Sequence, residues 1–463
     1  MAIAVNLPTE KFREHAHIRV LMIVDSLYWT VGHFAHQVTQ DNPHLNAVIC
    51  SQHVIREFQK RYGQFPLSFD LVHFLNTKTM EPFCNRLPTV STFHHMDSST
   101  HMKYLDDCDG VMTVSTQWQQ YLIDVGIPRE RLGIVPFAVD GTQFYPASQN
   151  ERSSIRQELN ISAETFVVGF TGRRTSDVDG RKGLACFLES VKTLRQSMPQ
   201  LVIVIIGPGW EYLVREFQNE NIAVVHVSYQ LDLTAIARLY RALDVFWVTS
   251  RIEGGPVPLL EAMASGLPCI ATPVGAVLDL MQDNRNGFIV PCDDSQAFVD
   301  MTLMLERNRE LSTKIGEAAR ETILRERSWS QTQACLDRLY ETAINNYYAH
   351  RSTSLSCHDA DVSLQTTQPL VPTALCFDDL GPGTKKWMRA CEYVRGSKML
   401  IQLGEWRQAV QLMRAAVKES SGDMNIAAQI VLVLFHAGKK KLRWRKIKDG
   451  VRKAMAMQKS ADS

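Results

Sequence analysis

The chain has 463 residues, 45% of them apolar, with 50 lysines and arginines against 49 aspartates and glutamates, a formal net charge of +1. Near-neutrality excludes a whole-molecule field that would gather nucleic acid or an anionic membrane, so any charge-driven partner has to be engaged locally. Ten cysteines without a CxxC pair, a start (MAIAVNLPTEKFREHAHIRV) with no apolar leader core, and apolar runs no longer than stretches such as LVIVII at 201–206 argue against a disulfide framework, secretion or a bilayer span. The expected location is a reducing cytoplasm.

In chain order, short apolar runs alternate with helical periods: IRVLMIVDSL, NAVIC, LVHFL, PTVSTF, GVMTVS and GIVPF, then, after the polar SQNERSSIRQELN, FVVGFTG, LVIVIIGPG, AVVHVS, DVFWVTS, PCIATPVG and GFIVPC. This pattern predicts two successive α/β units with parallel sheets. Ligands of such sheets bind at the carboxyl ends of the strands, and a crevice between two units gathers loops from both. The expected domains are 1–148 and 149–350, with a closing helix at about 328–348 that can cross back to the first. Residues 351–376, rich in Ser, Thr, Gln and Pro, form a linker, and 377–463 a small all-α extension. In that extension a helix pair turns at Gly404, and Gly404, Trp406, Ala409 and Ala416 resemble one tetratricopeptide repeat.

The most informative stretch is SRIEGGPVPLLEAMASGLPCIAT at 250–272. Pro256 and Pro258 suit a helix start, and Gly266 with Pro268 a stop, which places Glu261 in the first helical turn and Glu253 in the preceding loop. Taken singly, Glu261 complements the helix dipole and Glu253 is a loop acid. Together, a strand end, a glycine loop and a helix N-terminus make a phosphate cradle. Two flanking carboxylates then suit a ligand that carries hydroxyls as well as phosphates.

With Glu253 and Glu261 as an E-x7-E pair inside EGGPVPLLEAMASGLPCIATPVGAVLDLM, followed by NGFIVPCDD, the chain resembles the retaining nucleotide-sugar glycosyltransferases of glycosyltransferase family 4. FTGRR…RKG at 170–183, RALDVFWVTSRIEG at 241–254 and Ser328-Trp329 before the closing helix extend the resemblance to about 18–348. It implies a GT-B fold, two Rossmann-like domains facing a cleft. It also implies that Glu261 binds ribose hydroxyls, that Glu253 lies by the donor sugar, and that Gly254, Gly255 and Val257 present amides to the donor. An arginine and a lysine are to clamp the diphosphate: Lys182, with either Arg173 or Arg174, because the inserted RTSDVDG leaves the arginine open. The same family often has a histidine near donor sugar or acceptor; His94 is preferred, then His95. Gly32, near the start of the helix after the first strand, is a weaker candidate for approaching the donor phosphate, and a plain turn is the alternative.

Asp177-Val178-Asp179 matches a DxD metal motif, but it lies in a polar insertion where solvated acids are ordinary. His94, His95, Asp97, His101 and Cys108 fit no standard zinc spacing. No metal and no cofactor are expected; the donor is a substrate. The basic run KKKLRWRKIKDGVRK at 439–453 interleaves Leu442, Trp444, Ile447 and Val451 with charge, so the tail is read as a basic cap or as a contact for a protein or an anionic membrane surface. The expected reaction is sugar transfer with retention to a glycan, lipid-linked or small-molecule acceptor, by same-face attack in which the departing phosphate takes the acceptor proton. A nucleotide-sugar epimerase or hydrolase on the same architecture, or a non-catalytic interaction protein, are the alternatives.

Overall fold

A computed structural model of the chain describes residues 17–27, 30–62, 69–76, 87–95, 102–174, 178–228, 232–356, 382–402 and 406–419, together with Ile426 and Ile430. Each apolar run of the sequence becomes a strand. β1 (Ile18–Val24), β2 (Leu45–Ser51), β3 (Leu71–Phe74), β4 (Thr89–Phe93), β5 (Gly110–Thr113) and β6 (Leu132–Ile134) form one sheet in the order β2-β1-β3-β4-β5-β6. β7 (Phe166–Thr171), β8 (Leu201–Ile206), β9 (Ala223–Val227), β10 (Val245–Val248), β11 (Cys269–Ala271) and β12 (Phe288–Ile289) form a second, in the order β12-β11-β10-β7-β8-β9. Pairing is parallel, as in β1 with β2 from Ile18–Leu45 to Val24–Ser51. Strands such as β7 and β8 are almost wholly buried, which is why they read as apolar runs with no alternation.

The chain divides into two compact units, the first made of Met1–His36, Pro43–Leu75 and Ser352–Ser463, the second of Gln37–Asn42 and Asn76–Arg351. In the first unit the helices of the extension, Pro382–Gln402 and Trp406–Glu419, pack on each other with Ala390, Ala409 and Ala416 buried. The former helix also packs on the helix Gln52–Tyr62. Trp387 meets Phe58 edge-on, ring centres 6.5 Å apart, and the Arg61 guanidinium lies 5.1 Å over the Trp387 ring. Two polar contacts tie this helix to the carboxyl ends of β1 and β2. Arg395 donates to the carbonyl of Asp25, and buried Glu392 accepts the Ser51 amide at 2.6 Å. Burial holds the Glu392 carboxyl above its ordinary range, against the opposing pull of the Ser51 hydrogen bonds and the Arg395 charge. Glu392→Met should therefore cost about 1–3 kcal/mol by orphaning that amide, whereas Glu392→Gln, which keeps an acceptor, should cost little. Urea midpoints of the two variants check this; equal midpoints would mean the amide finds another partner. The basic run at 439–453 lies outside the described residues.

In the second unit, side chains from the strands, such as Phe170 of β7 and Trp247 of β10, pack with Phe187 and Phe298 from the flanking helices and with Trp210 at a helix N-cap to form the core of the second sheet. Asp244, which opens β10, accepts from Arg152 and Arg156 at 2.7 Å, from Arg309 at 3.1 Å and from the Val167 amide at 2.7 Å. Charge-assisted bonds of this kind fix the start of the strand that leads to Glu253. The long helix Trp329–Ser356 lies against β5 and β6, where Gly110 and Gly133 leave room for Ala343 and Leu339. Among the described residues no helix is long and apolar enough to cross a membrane.

Candidate active site

The site is assembled at the carboxyl ends of β7 and β10. Past β10 the chain runs through Thr249–Gly255 into the helix Val257–Ala264, whose N-cap is Pro256 in an extended conformation, with Pro258 inside the first turn. Because this helix opens at Val257, Glu261 sits in its second turn and not its first. Pro256 cannot continue a helix backwards, and the shift takes the carboxylate away from the helix terminus and into the interior. Gly266, with φ +71°, ends the helix. Among the described residues the amides of Gly254, Gly255 and Val257 donate to no protein acceptor. That leaves the row of donors a phosphate requires.

Two close approaches demand glycine. A Cβ on Gly254 would lie 2.1 Å from the His94 carbonyl oxygen, and one on Gly183, where φ is +63°, 1.9 Å from that of Thr249. The second contact seats the start of the helix Leu184–Ser197 against the β10 loop and delivers the preceding Lys182 to Glu253. Lys182 Nζ lies 2.5 Å from Glu253 Oε1, Ser250 Oγ donates to the same oxygen at 2.9 Å, and Arg181 Nη1 is 3.5 Å from Oε2. Glu253 is 7% exposed. Burial pushes its carboxyl up, but the charges of Lys182 and Arg181 with the bonds from Lys182 and Ser250 outweigh that, and the net shift is downward. Glu253 is therefore a buried carboxylate that stays ionised by its pairing.

Glu261 is the opposite case. It is 9% exposed, and the one hydrogen bond to its carboxyl group among the described residues comes from the Tyr240 hydroxyl, 2.7 Å from Oε2. Burial raises the carboxyl from 4.5 to about 7, a rise that the Tyr240 bond only moderates. The Tyr240 oxygen also lies 3.3 Å from Thr171 Oγ1 at the end of β7, so Glu261 is linked through Tyr240 to that strand end.

Lys182 also borders Gly172, the first residue after β7, from which a Cβ would lie 3.7 Å from Nζ. Arg173 follows, exposed, and Arg174 carries its guanidinium 4.1 Å over the Tyr212 ring. His94 and His95 are half-buried past β4, and the His94 ring stacks on Phe137 at 6.0 Å. Lys182 thus meets Glu253, and Gly254 meets the His94 backbone, whereas the Glu261 side chain is turned to Tyr240. Gly32 belongs to the first unit, where it lets the helix Thr30–Thr39 close on the turn after β1, its Cβ position 2.4 Å from the Ser26 carbonyl oxygen. Asp97, His101 and Asp177 lie outside the described residues, and among those described no cluster of three or more His, Cys, Asp or Glu side chains is placed to hold a metal ion. Sequence reasoning missed Ser250, Arg181, Tyr240 and Trp118. Of these, Ser250 and Arg181 sit beside the motifs already singled out, so neighbouring position alone marks them for inspection.

Residues 151–322 match the family model described as "Glycosyl transferases group 1". Among curated proteins the chain is 27% identical over 188 residues to the putative glycosyltransferase EpsD of Bacillus subtilis, covering 40% of this chain and 48% of that protein. It is 27% identical over 293 residues to the D-inositol 3-phosphate glycosyltransferase of Corynebacterium glutamicum, covering 56% and 68%. The chain thus spans about half to two thirds of the length of these relatives. Among solved structures, Anabaena Alr3699/HepE in complex with UDP-glucose has TM-score 0.57 at 17% identity, over 70% of this chain and 100% of that one. The likeness is one of fold, and the pair of parallel six-stranded sheets is the GT-B arrangement.

Proposed function

We propose that this chain, whose residues 151–322 match the group 1 glycosyl transferases, is a glycosyltransferase. It moves a sugar from a nucleoside diphosphate to an acceptor hydroxyl with retention and without a metal. The observation that carries the reading is the Lys182–Glu253 pair set beneath unpaired loop amides at a helix start. A diphosphate lying along Gly254, Gly255 and Val257 would bring its sugar-bearing phosphate to Lys182. That is where negative charge grows as the glycosidic bond breaks.

The residues have separate roles. Lys182, with Arg173 or Arg174, stabilises the leaving diphosphate. Glu253 holds Lys182 in place and faces the sugar, and Glu261 accepts hydrogen bonds from ribose hydroxyls. His94 lies at the sugar or acceptor side. In this reading no residue serves as nucleophile: the acceptor attacks on the face the diphosphate leaves, and the departing phosphate takes up its proton. Cationic side chains already serve the phosphates, and no step needs a metal. The tail, through 377–463, is proposed as the contact for a protein partner or anionic surface.

The test is a thermal-shift screen of UDP-, GDP- and ADP-sugars. Ligand at 100 times its Kd stabilises the native state by about 2.7 kcal/mol. The UDP-glucose held by Anabaena HepE makes a uridine donor the first to try. The stabilising donor is then incubated with acceptors and the anomeric configuration of the product read by NMR. Absence of stabilisation by any nucleotide, or an inverted product, would overturn the reading; consumption of donor without acceptor would favour a hydrolase or epimerase.

A further inference from the structure

The loop that carries Glu253 is gripped from outside its own sheet. Trp118, in the first turn of the helix Thr116–Asp124 that follows β5, donates its indole Nε1–H to the backbone carbonyl of Glu253 at 2.6 Å, and both residues are buried. Its neighbours act on the adjoining turn. The Thr116 amide donates to Asp279 Oδ2 at 2.9 Å and its hydroxyl to Oδ1, while Gln117 Oε1 accepts the Gly275 amide. The two gripped segments are themselves joined, since the Ala276 amide donates to the Gly254 carbonyl at 2.8 Å.

The indole is set in advance for this task. Ser115 caps the helix by accepting the Trp118 amide, and the ring stands edge-on to Phe93 at 5.7 Å and to Tyr121 at 5.5 Å. A ring wedged in this way loses little freedom when its N–H bonds. The bond satisfies a buried carbonyl of the very residue whose carboxylate meets Lys182, so a small rotation of the Glu253 peptide would carry both ends of that residue.

We infer that the helix turn Thr116–Trp118 is a clamp on the donor loop and that Trp118 is a positioning residue, which acts through Glu253 to hold Lys182 where the leaving group forms. This rests on the function proposed above for the Glu253–Lys182 pair. The geometric part of the clamp stands without it.

Trp118→Phe keeps an aromatic ring between Phe93 and Tyr121 but removes the N–H donor along with part of the ring's volume, and the hydrogen-exchange arm below reads the loop itself. With the donor that the wild type turns over fastest, turnover is expected to fall about tenfold while the donor KM changes less than about twofold, because the lost bond positions the site and touches no substrate. Gln117→Ala should behave similarly, and Gln117→Glu, which retains the acceptor for the Gly275 amide, should recover most of the loss. A parallel hydrogen-exchange measurement on unliganded protein should show faster exchange in peptides covering 250–260 and 272–282 of Trp118→Phe. Faster exchange with unchanged turnover, or a fall that resides entirely in KM, would overturn the positioning role. Unchanged exchange would overturn the clamp itself. If the wild type turns over no donor, the proposed function is lost, whereas the exchange arm still decides whether the clamp exists.

Discussion

Lys182→Ala is expected to lower turnover by about two to three orders of magnitude while weakening donor binding less than about tenfold. A charge aimed at a leaving group does its largest service in the transition state, where removing one preorganised donor costs on this scale. The geometry adds a second effect. Among the described residues Lys182 is the nearest cation to Glu253, at 2.5 Å, and without it the buried carboxylate would keep Ser250 at 2.9 Å and Arg181 at 3.5 Å. The Glu253 carboxyl should then shift upward, because the charge that offset its burial is gone. Lys182→Arg should not rescue fully, since a planar guanidinium is a different donor from a compact ammonium. Steady-state kinetics with the donor identified by thermal shift check this, with EDTA present in a second series. Equal losses in turnover and in donor affinity would reduce Lys182 to a binding residue. Loss of wild-type activity in EDTA would return attention to Asp177 and Asp179.

The fold was legible because parallel strands buried on both faces must be runs of apolar residues, and all twelve runs read from the sequence are strands. The local frame of the candidate site was legible for a simpler reason. Glu253, Gly254, Gly255, Val257 and Glu261 lie within one strand-loop-helix unit, where spacing alone sets relative position. Contacts across sequence were not legible. Trp118 lies 135 positions before Glu253, and Ser51 lies 341 before Glu392; no periodicity announces that an indole N–H or a buried carboxylate ends its path at a particular backbone atom. The placing of Glu261 in the first turn failed by less than a turn. Even so, the difference separates a carboxylate at a helix dipole from one in the interior beside Tyr240.

That interior placement gives Glu261 a pH signature. With its carboxyl raised by burial from 4.5 to about 7, the folded protein holds a proton that the unfolded chain has already released between those two values. The stability contributed by the protonated form is complete below pH 4.5, declines as pH rises through the window and is lost above about 7. It amounts to about 3 kcal/mol if the full shift is realised. Glu261→Gln keeps an acceptor for Tyr240 and cannot ionise, so its urea-unfolding free energy should lack this decline. Nucleotide binding should run the other way. Ribose hydroxyls donating to the carboxylate favour its ionised form, so donor affinity should rise between pH 5.5 and 8, with a fraction of a proton released on binding at pH 6.5. Calorimetry in buffers of differing ionisation enthalpy measures that proton directly, and the variant should bind more weakly by about 1.5–3 kcal/mol with no proton released. Identical pH profiles of stability for wild type and Glu261→Gln would show that the carboxyl titrates in its ordinary range. Proton uptake in place of release would mean that the neutral acid is the form that receives the nucleotide.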